Sequence, residues 1–167
     1  ALSACVVGER MVVFGGYADK HLGDMHVLDC EGPSWVQFDG GHGDTQSAAP
    51  QPRSNHGAVA IGPYMLIFGG GAGANKNVRP MDDIHAYDAR TLRWTIVEVA
   101  RHHRRPTARS YHTCTKMGHA GLVVLFGGDD GANDLNDAHV FSASSLLGNV
   151  QPNWRWSGGG GGGGGGG

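Results

Sequence analysis

Cysteine is scarce in this 167-residue chain: Cys5, Cys30 and Cys114 are odd in number and have no ligand-like spacing. That excludes a disulfide framework and a zinc site built from thiolates. Cys5 and Cys114 lie inside apolar strand patterns and read as small buried side chains of a reducing compartment, cytoplasmic or nuclear. Net charge is equally thin, formally −2, so nothing global attracts nucleic acid or an anionic membrane. No apolar run approaches the roughly 20 residues a membrane span requires, and no signal peptide is visible. Also missing are a Gly-x-Ser-x-Gly elbow, a His-Glu-x-x-His pair and a phosphate loop.

Glycine, by contrast, is abundant at 30 residues, as suits a turn-rich β protein. Ten of these form the terminal run Gly158–Gly167, expected to be a disordered tail or linker with no part in the fold. The rest of the chain repeats itself. Val12-Val13-Phe14-Gly15-Gly16 leads to Asp24-Met25-His26-Val27-Leu28-Asp29 and Trp35. Tyr64-Met65-Leu66-Ile67-Phe68-Gly69-Gly70 leads to Asp83-Ile84-His85-Ala86-Tyr87-Asp88 and Trp94. Val124-Leu125-Phe126-Gly127-Gly128 leads to Asp137-Ala138-His139-Val140-Phe141, then Trp154 and Trp156. The phenylalanines recur at 14, 68 and 126, a period of about 50 residues that implies stacked repeating units.

Each unit reads as four short strands. In the middle one, His56 to Ile61 and Tyr64 to Phe68 are joined by Gly62-Pro63, with glycine where a type II′ hairpin turn needs it. The second strand is apolar throughout, so both of its faces should be covered, and Gly69-Gly70 is expected to end it. The third strand alternates, with Asp83, His85 and Tyr87 on one side and Ile84 and Ala86 on the other. The fourth carries the tryptophan. Two linkers, Asp39 to Gln51 rich in Gly, Ser and Pro and Ala100 to Ala108 basic, end alike, in Pro50-Gln51-Pro52-Arg53-Ser54-Asn55-His56 and Pro106-Thr107-Ala108-Arg109-Ser110-Tyr111-His112.

The order Pro-x-x-Arg-Ser-x-His, Phe-Gly-Gly, Asp-x-His, Trp resembles the kelch repeat over residues 2–156. The resemblance implies an all-β fold of three four-stranded antiparallel propeller blades, at about 1–38, 53–99 and 109–157, with the first strand nearest the axis. The first copy departs from the pattern: Leu2 stands where the inner-strand histidine belongs. Propellers usually close with 4–8 blades, and three would leave one sheet face bare at each end. The expectation is therefore a partial propeller whose partners include further blades, with an oligomer of short chains as the second explanation.

His26, His85 and His139 invite a metal reading, but one histidine per blade, third from the axis, cannot converge on one ion, so no metal is expected. His56 and His112 lie nearer the axis and are read as structural parts of the repeat. So are Phe14, Gly15, Gly16, Trp35, Phe68, Gly69, Gly70, Trp94, Phe126, Gly127 and Gly128. Arg53 and Arg109 are expected to tie adjacent blades through backbone carbonyls, against the alternative of an anion site. Arg101-His102-His103-Arg104-Arg105 reads as a solvated linker, because no aromatic residues interleave with it.

The stretches after each Gly-Gly differ most between copies, and variable loops of repeat proteins gather on one face. Kelch propellers are similar in using these loops and those before the inner strand. Partner contact is therefore expected at Tyr17, Asp19, Asn55, Asn75, Lys76, Asn77, Tyr111, Asp129 and Asp130. The expected function is a non-catalytic module that presents loops to a protein or peptide, with no cofactor. The alternative is part of a kelch-type metal-dependent oxidase or specifier-like enzyme whose site lies in other blades. A third reading is an accessory to an enzyme or ubiquitin-ligase adaptor elsewhere in a longer chain.

Overall fold

The computed structural model describes residues 1–38, 48–73, 78–99, 105–118 and 121–143, and the backbone of 155–159. The described residues contain twelve strands and no helix. The first sheet holds β1 (Ser3–Val7), β2 (Arg10–Ala18), β3 (Lys20–Asp29) and β4 (Ser34–Phe38). The second holds β5 (Gly57–Ile61), β6 (Tyr64–Ala72), β7 (Arg79–Asp88) and β8 (Arg93–Ile96). The third holds β9 (Thr113–Met117), β10 (Leu122–Asp129), β11 (Asp134–Ser142) and β12 (Arg155–Gly159). Every sheet is antiparallel with its strands in sequence order, and β5 lies against both β1 and β9. These are three four-stranded blades standing side by side.

The second strand of each blade runs past its Gly-Gly pair, which does not end it as expected. The register instead shifts between Phe14 and Gly16, between Phe68 and Gly70, and between Phe126 and Gly128. A bulge there lets the strand bend while its ladder with the third strand continues to Ala18, Ala72 and Asp129. The glycines answer a close approach. A Cβ on Gly69 would stand 2.7 Å from the carbonyl oxygens of Arg109 and Met81. The inner strand starts at Gly57, one residue later than expected. At the other end, β12 takes in Gly158 and Gly159, which pair with His139 and Ala138. An extended ladder needs backbone alone, so the fold reaches two residues into the glycine run.

Alternation along the strands sends each blade's two faces to different neighbours. Val12, Phe14, Met25 and Val27 of the first blade pack on Met65, Ile67 and Tyr87 of the second. The opposite face of the second blade, with Leu66, Phe68, Ile84 and Ala86, packs on Val123, Leu125 and Phe141 of the third. Thus β6 is covered on both sides and is buried from Met65 to Ala72. Among the described residues, the outer blades each keep one open face. Val6 and Trp35 are exposed on the first, Met117 and Phe126 on the third.

Candidate functional site

The segments entering β5 and β9 are held by a repeated arginine clasp. Arg53 is completely buried; its guanidinium grips Asp83 with two bonds of 2.6 and 2.7 Å and donates to the Gly69 carbonyl at 2.8 Å. Arg109 repeats this with Asp137 at 2.6 and 2.9 Å and with Gly127 at 2.9 Å. The same carboxylates receive the third-strand histidines: Asp83 holds His85 at 2.9 Å, and Asp137 holds His139 at 2.8 Å. Burial works against the charge of Asp83, but Arg53 and His85 outweigh it and hold the carboxyl well below its ordinary range. Arg109, followed by His139, does the same for Asp137.

These arginines do tie blades together, by a route different from the one expected. Their guanidinium groups stay within their own blade, and their main chains cross to the preceding one. Arg53 donates its N–H to Leu22 and accepts from Gly16; Arg109 donates to Met81 and accepts from Gly70. With no polar surface left to solvent, neither can receive an anion on the outer face. In the first blade Asp24 holds His26 at 2.8 Å, and no arginine joins them. The third-strand histidines each serve their own blade's carboxylate, and no group of metal-binding side chains forms among the described residues.

His56 and His112 are buried beside the inner strands, and His56 Nε2 lies 2.6 Å from the Ser3 hydroxyl. Burial, helped by Arg53, His112 and the chain's amino group, lowers His56 to about 3. Burial and Arg109 lower His112 to about 4, against a small opposing contribution from the Phe68 backbone. Both rings are therefore neutral at physiological pH. Trp94 packs between Phe14 and Tyr87, with ring centroids 5.3 and 5.2 Å away, whereas Trp35 on the exposed face meets His26 edge-on at 6.5 Å.

At the bulged ends of the second strands, the three blades enclose a cleft of about 530 Å³. Tyr17 from the first blade, Asn55 from the second, and Tyr111 and Asp129 from the third all line it. Asn55 and Tyr111 occupy the same place in successive repeats, and both have positive φ, 55° and 60°. Few side chains tolerate that region, and tyrosine has no local hydrogen bond to compensate for it. The backbone explains the conformation: Tyr111 N–H donates to Asn55, and Asn55 N–H donates to Ala1, forming a ladder from blade to blade. As a result the Tyr111 ring is thrown outward and is 70 % exposed.

Asp130 does not line the cleft. Its carboxylate accepts from the Ala132 and Asn133 N–H groups, and these bonds lower its pKa. Asp129, which does line it, also accepts from Gly131 N–H at 2.7 Å. Asp19 has a φ of 59° in the tight turn between β2 and β3 and lies outside the cleft lining. Asn75, Lys76 and Asn77 fall outside the described residues, as do Arg101 to Arg104 and Trp154. Arg105 is described and donates to the Val99 carbonyl. Sequence reasoning passed over His21, whose ring meets Tyr17 edge-on at 5.3 Å in the cleft wall. It also missed the partnership of Arg53 with Asp83, although an aspartate recurs at that place in every copy.

Three sheets of this design, two of them clasped at the inner strand and all stacked face to face, define a propeller-blade repeat protein. The KLHDC2/KLHL20/DRC7 Kelch-repeats domain model matches residues 1–156, and the chain belongs to the kelch-repeat family. Acyl-CoA-binding domain-containing protein 4 of Arabidopsis thaliana is 32% identical over 156 residues, which is 89% of this chain and 21% of that protein. Human Kelch domain-containing protein 3 is 31% identical over 134 residues, 75% of this chain and 33% of that protein. The flagellar outer-arm dynein alpha chain of Chlamydomonas reinhardtii is 29% identical over 92% of this chain and 3% of its own length. The chain thus spans about a fifth of the first of these relatives and a third of the second.

Proposed function

We propose that this kelch segment is a non-catalytic interaction module that holds an extended segment of a partner protein in the cleft across its inner strands. The observation that supports this reading is convergence: Tyr17, Asn55, Tyr111 and Asp129 come from three blades and meet in one concavity. Exposed tyrosines supply large contact area at low entropic cost, and Asn55 and Asp129 supply hydrogen-bonding specificity. Both tyrosines are more than half exposed, so little rearrangement precedes contact.

The remaining partners are further blades, seated on the open faces that carry Val6 and Trp35 at one end and Met117 and Phe126 at the other. The three free cysteines suit a reducing compartment, the cytoplasm or nucleus.

Selection of a peptide library on the protein tests the cleft. Peptides enriched on the wild type should lose at least roughly tenfold in affinity for the Tyr17→Ala/Tyr111→Asn double variant. Asparagine already occupies the equivalent place at 55, so Tyr111→Asn should leave the melting temperature within a few degrees. Unchanged binding by the double variant would place the contact surface elsewhere. Asp129→Lys, which removes one loop hydrogen bond against two at Asp130, is the better charge probe.

A further inference from the structure

The cleft is built from two rows of equivalent positions, and each row is filled differently in each blade. Tyr17, Gly71 and Asp129 each stand three residues after the phenylalanine of their repeat. Ala1, Asn55 and Tyr111 each precede the inner-strand histidine position, which Leu2 occupies in the first blade. In the second blade Gly71 contributes no side chain, and Val78 closes over it: a Cβ there would stand 2.8 Å from Val78 Cγ1. The third blade instead sets a carboxylate beside an aromatic ring. Ser110 and Asp129 exchange main-chain hydrogen bonds of 2.9 and 2.8 Å, which fixes Asp129 opposite the chain neighbour of Tyr111.

Both groups can be reached. Tyr111 is exposed and Asp129 half-buried. The Asp129 Oδ1 atom accepts from Gly131 N–H at 2.7 Å, while Oδ2 is neither bonded among the described residues nor sealed from solvent. Charge is divided along the same lines. The stretch from Asp129 to Asp134 holds Asp129, Asp130 and Asp134 with no lysine or arginine. Gly71 to Arg79 holds Lys76 and Arg79 with no acid, and Tyr17 to His21 balances Asp19 with Lys20. Among the described residues, Asp129 is the only carboxylate in the cleft lining, and no lysine or arginine side chain joins it there. Arg109, two residues from Tyr111, is already committed to Asp137 and the Gly127 carbonyl. A carboxylate left without a cation, next to an exposed aromatic ring, attracts a positively charged side chain.

We propose that the third-blade end of the cleft receives a lysine or arginine side chain of the partner segment, its charged head bonded to Asp129 Oδ2 and lying against the Tyr111 ring. The inference rests on the cleft being the partner site, and it adds the chemical class of segment the cleft selects. The second blade cannot offer the same seat, because Asn55 and Gly71 stand where the third has Tyr111 and Asp129. An acidic segment is disfavoured at this end, since three aspartates of one loop repel it.

Peptides selected from a random library on the wild type should share a lysine or arginine at one position. Replacing that residue by norleucine or citrulline, uncharged and of similar shape, leaves the protein untouched and should weaken binding about tenfold at low salt. Added salt should narrow the difference. On Asp129→Asn, which keeps an oxygen for the Gly131 N–H, the same replacement should cost less than about twofold, at an unchanged melting temperature. Peptides that weaken on the Tyr17→Ala/Tyr111→Asn variant yet share no basic residue, or share an acidic one, would overturn this inference and leave the cleft reading standing. An equal cost on wild type and Asp129→Asn would overturn it too, because the cation would then sit elsewhere. Peptides indifferent to the double variant, or a library that enriches none, would sink the cleft as the partner site and this inference with it.

Discussion

Phe68 and Phe126 hold equivalent places in two blades of the same design, yet the first is 1% exposed and the second 52%. The difference lies beyond the residue, in what stands next to its sheet. Phe68 has Phe141 against its ring. The glycine pair behind each phenylalanine reports the same contrast. A Cβ on Gly69 would strike the Arg109 carbonyl of the next blade at 2.7 Å, whereas one on Gly127 would meet only Leu135 of its own blade, at 3.1 Å. The second blade's socket is filled by the next repeat, and the third blade's is not filled within the described residues. A repeat unit carries half an interface on each face, and its sequence is the same whether or not the other half is present.

The largest effect should come from the clasp, where the two blades ought to agree. Arg53→Ala and Arg109→Ala each strand a carboxylate and a glycine carbonyl, and each should cost about 3–5 kcal/mol in urea unfolding. A much smaller loss at Arg109 would mean that the clasp needs a following blade to be effective. Next come the phenylalanines, where the blades should differ. Phe68→Ala should cost about 3 kcal/mol or more, and Phe126→Ala less than about 1. Equal losses would show that the third blade's open face is covered in solution.

Acid sensitivity, unlike these substitutions, accrues gradually with pH. His56 and His112 are lowered to about 3 and about 4, so between there and the ordinary value near 6.5 the unfolded chain binds protons that the folded one refuses. Their contribution is complete above about 6.5 and is lost as pH falls through that window, at up to about 1.4 kcal/mol per pH unit for each ring. Asp83 and Asp137, also lowered, begin to weaken the fold only once pH falls toward the ordinary carboxylate value near 4. His56→Leu, the residue type found at Leu2, should flatten unfolding midpoints measured from pH 6.5 to 4.5. An unchanged slope would mean that His56 reaches solvent.

Much of this fold was legible because several features recur in fixed order: Phe14, Phe68 and Phe126 mark three sheets, and the alternation of β7 is visible in Ile84 and Ala86 against Tyr87. The Gly-Gly bulge was misread as a strand end, because a glycine pair looks the same in sequence whether the chain stops there or bends. Local pattern likewise suggested that the arginine meets backbone carbonyls but could not show which of its groups crosses between blades. That depends on the 30-residue return of the chain that brings Asp83 to Arg53. Of the residues expected to meet a partner, Tyr17, Asn55, Tyr111 and Asp129 line one cleft, which no local pattern could show because it is assembled from three blades. Asp130 caps a loop outside the cleft lining, and an aspartate that caps a loop has the same composition signal as one that faces a partner.

The arginine clasp also decides where this molecule can be divided. The seam between blades runs through Arg53 and Arg109, since each answers to one sheet with its main chain and to another with its side chain. Cutting the chain in the linker ahead of Arg109 would take Gly70 and Met81 away from a residue still anchored to Asp137. Units that look modular on paper are thus sewn together by shared stitches. Transplanting one of them into another protein requires carrying the arginine of its successor along with it.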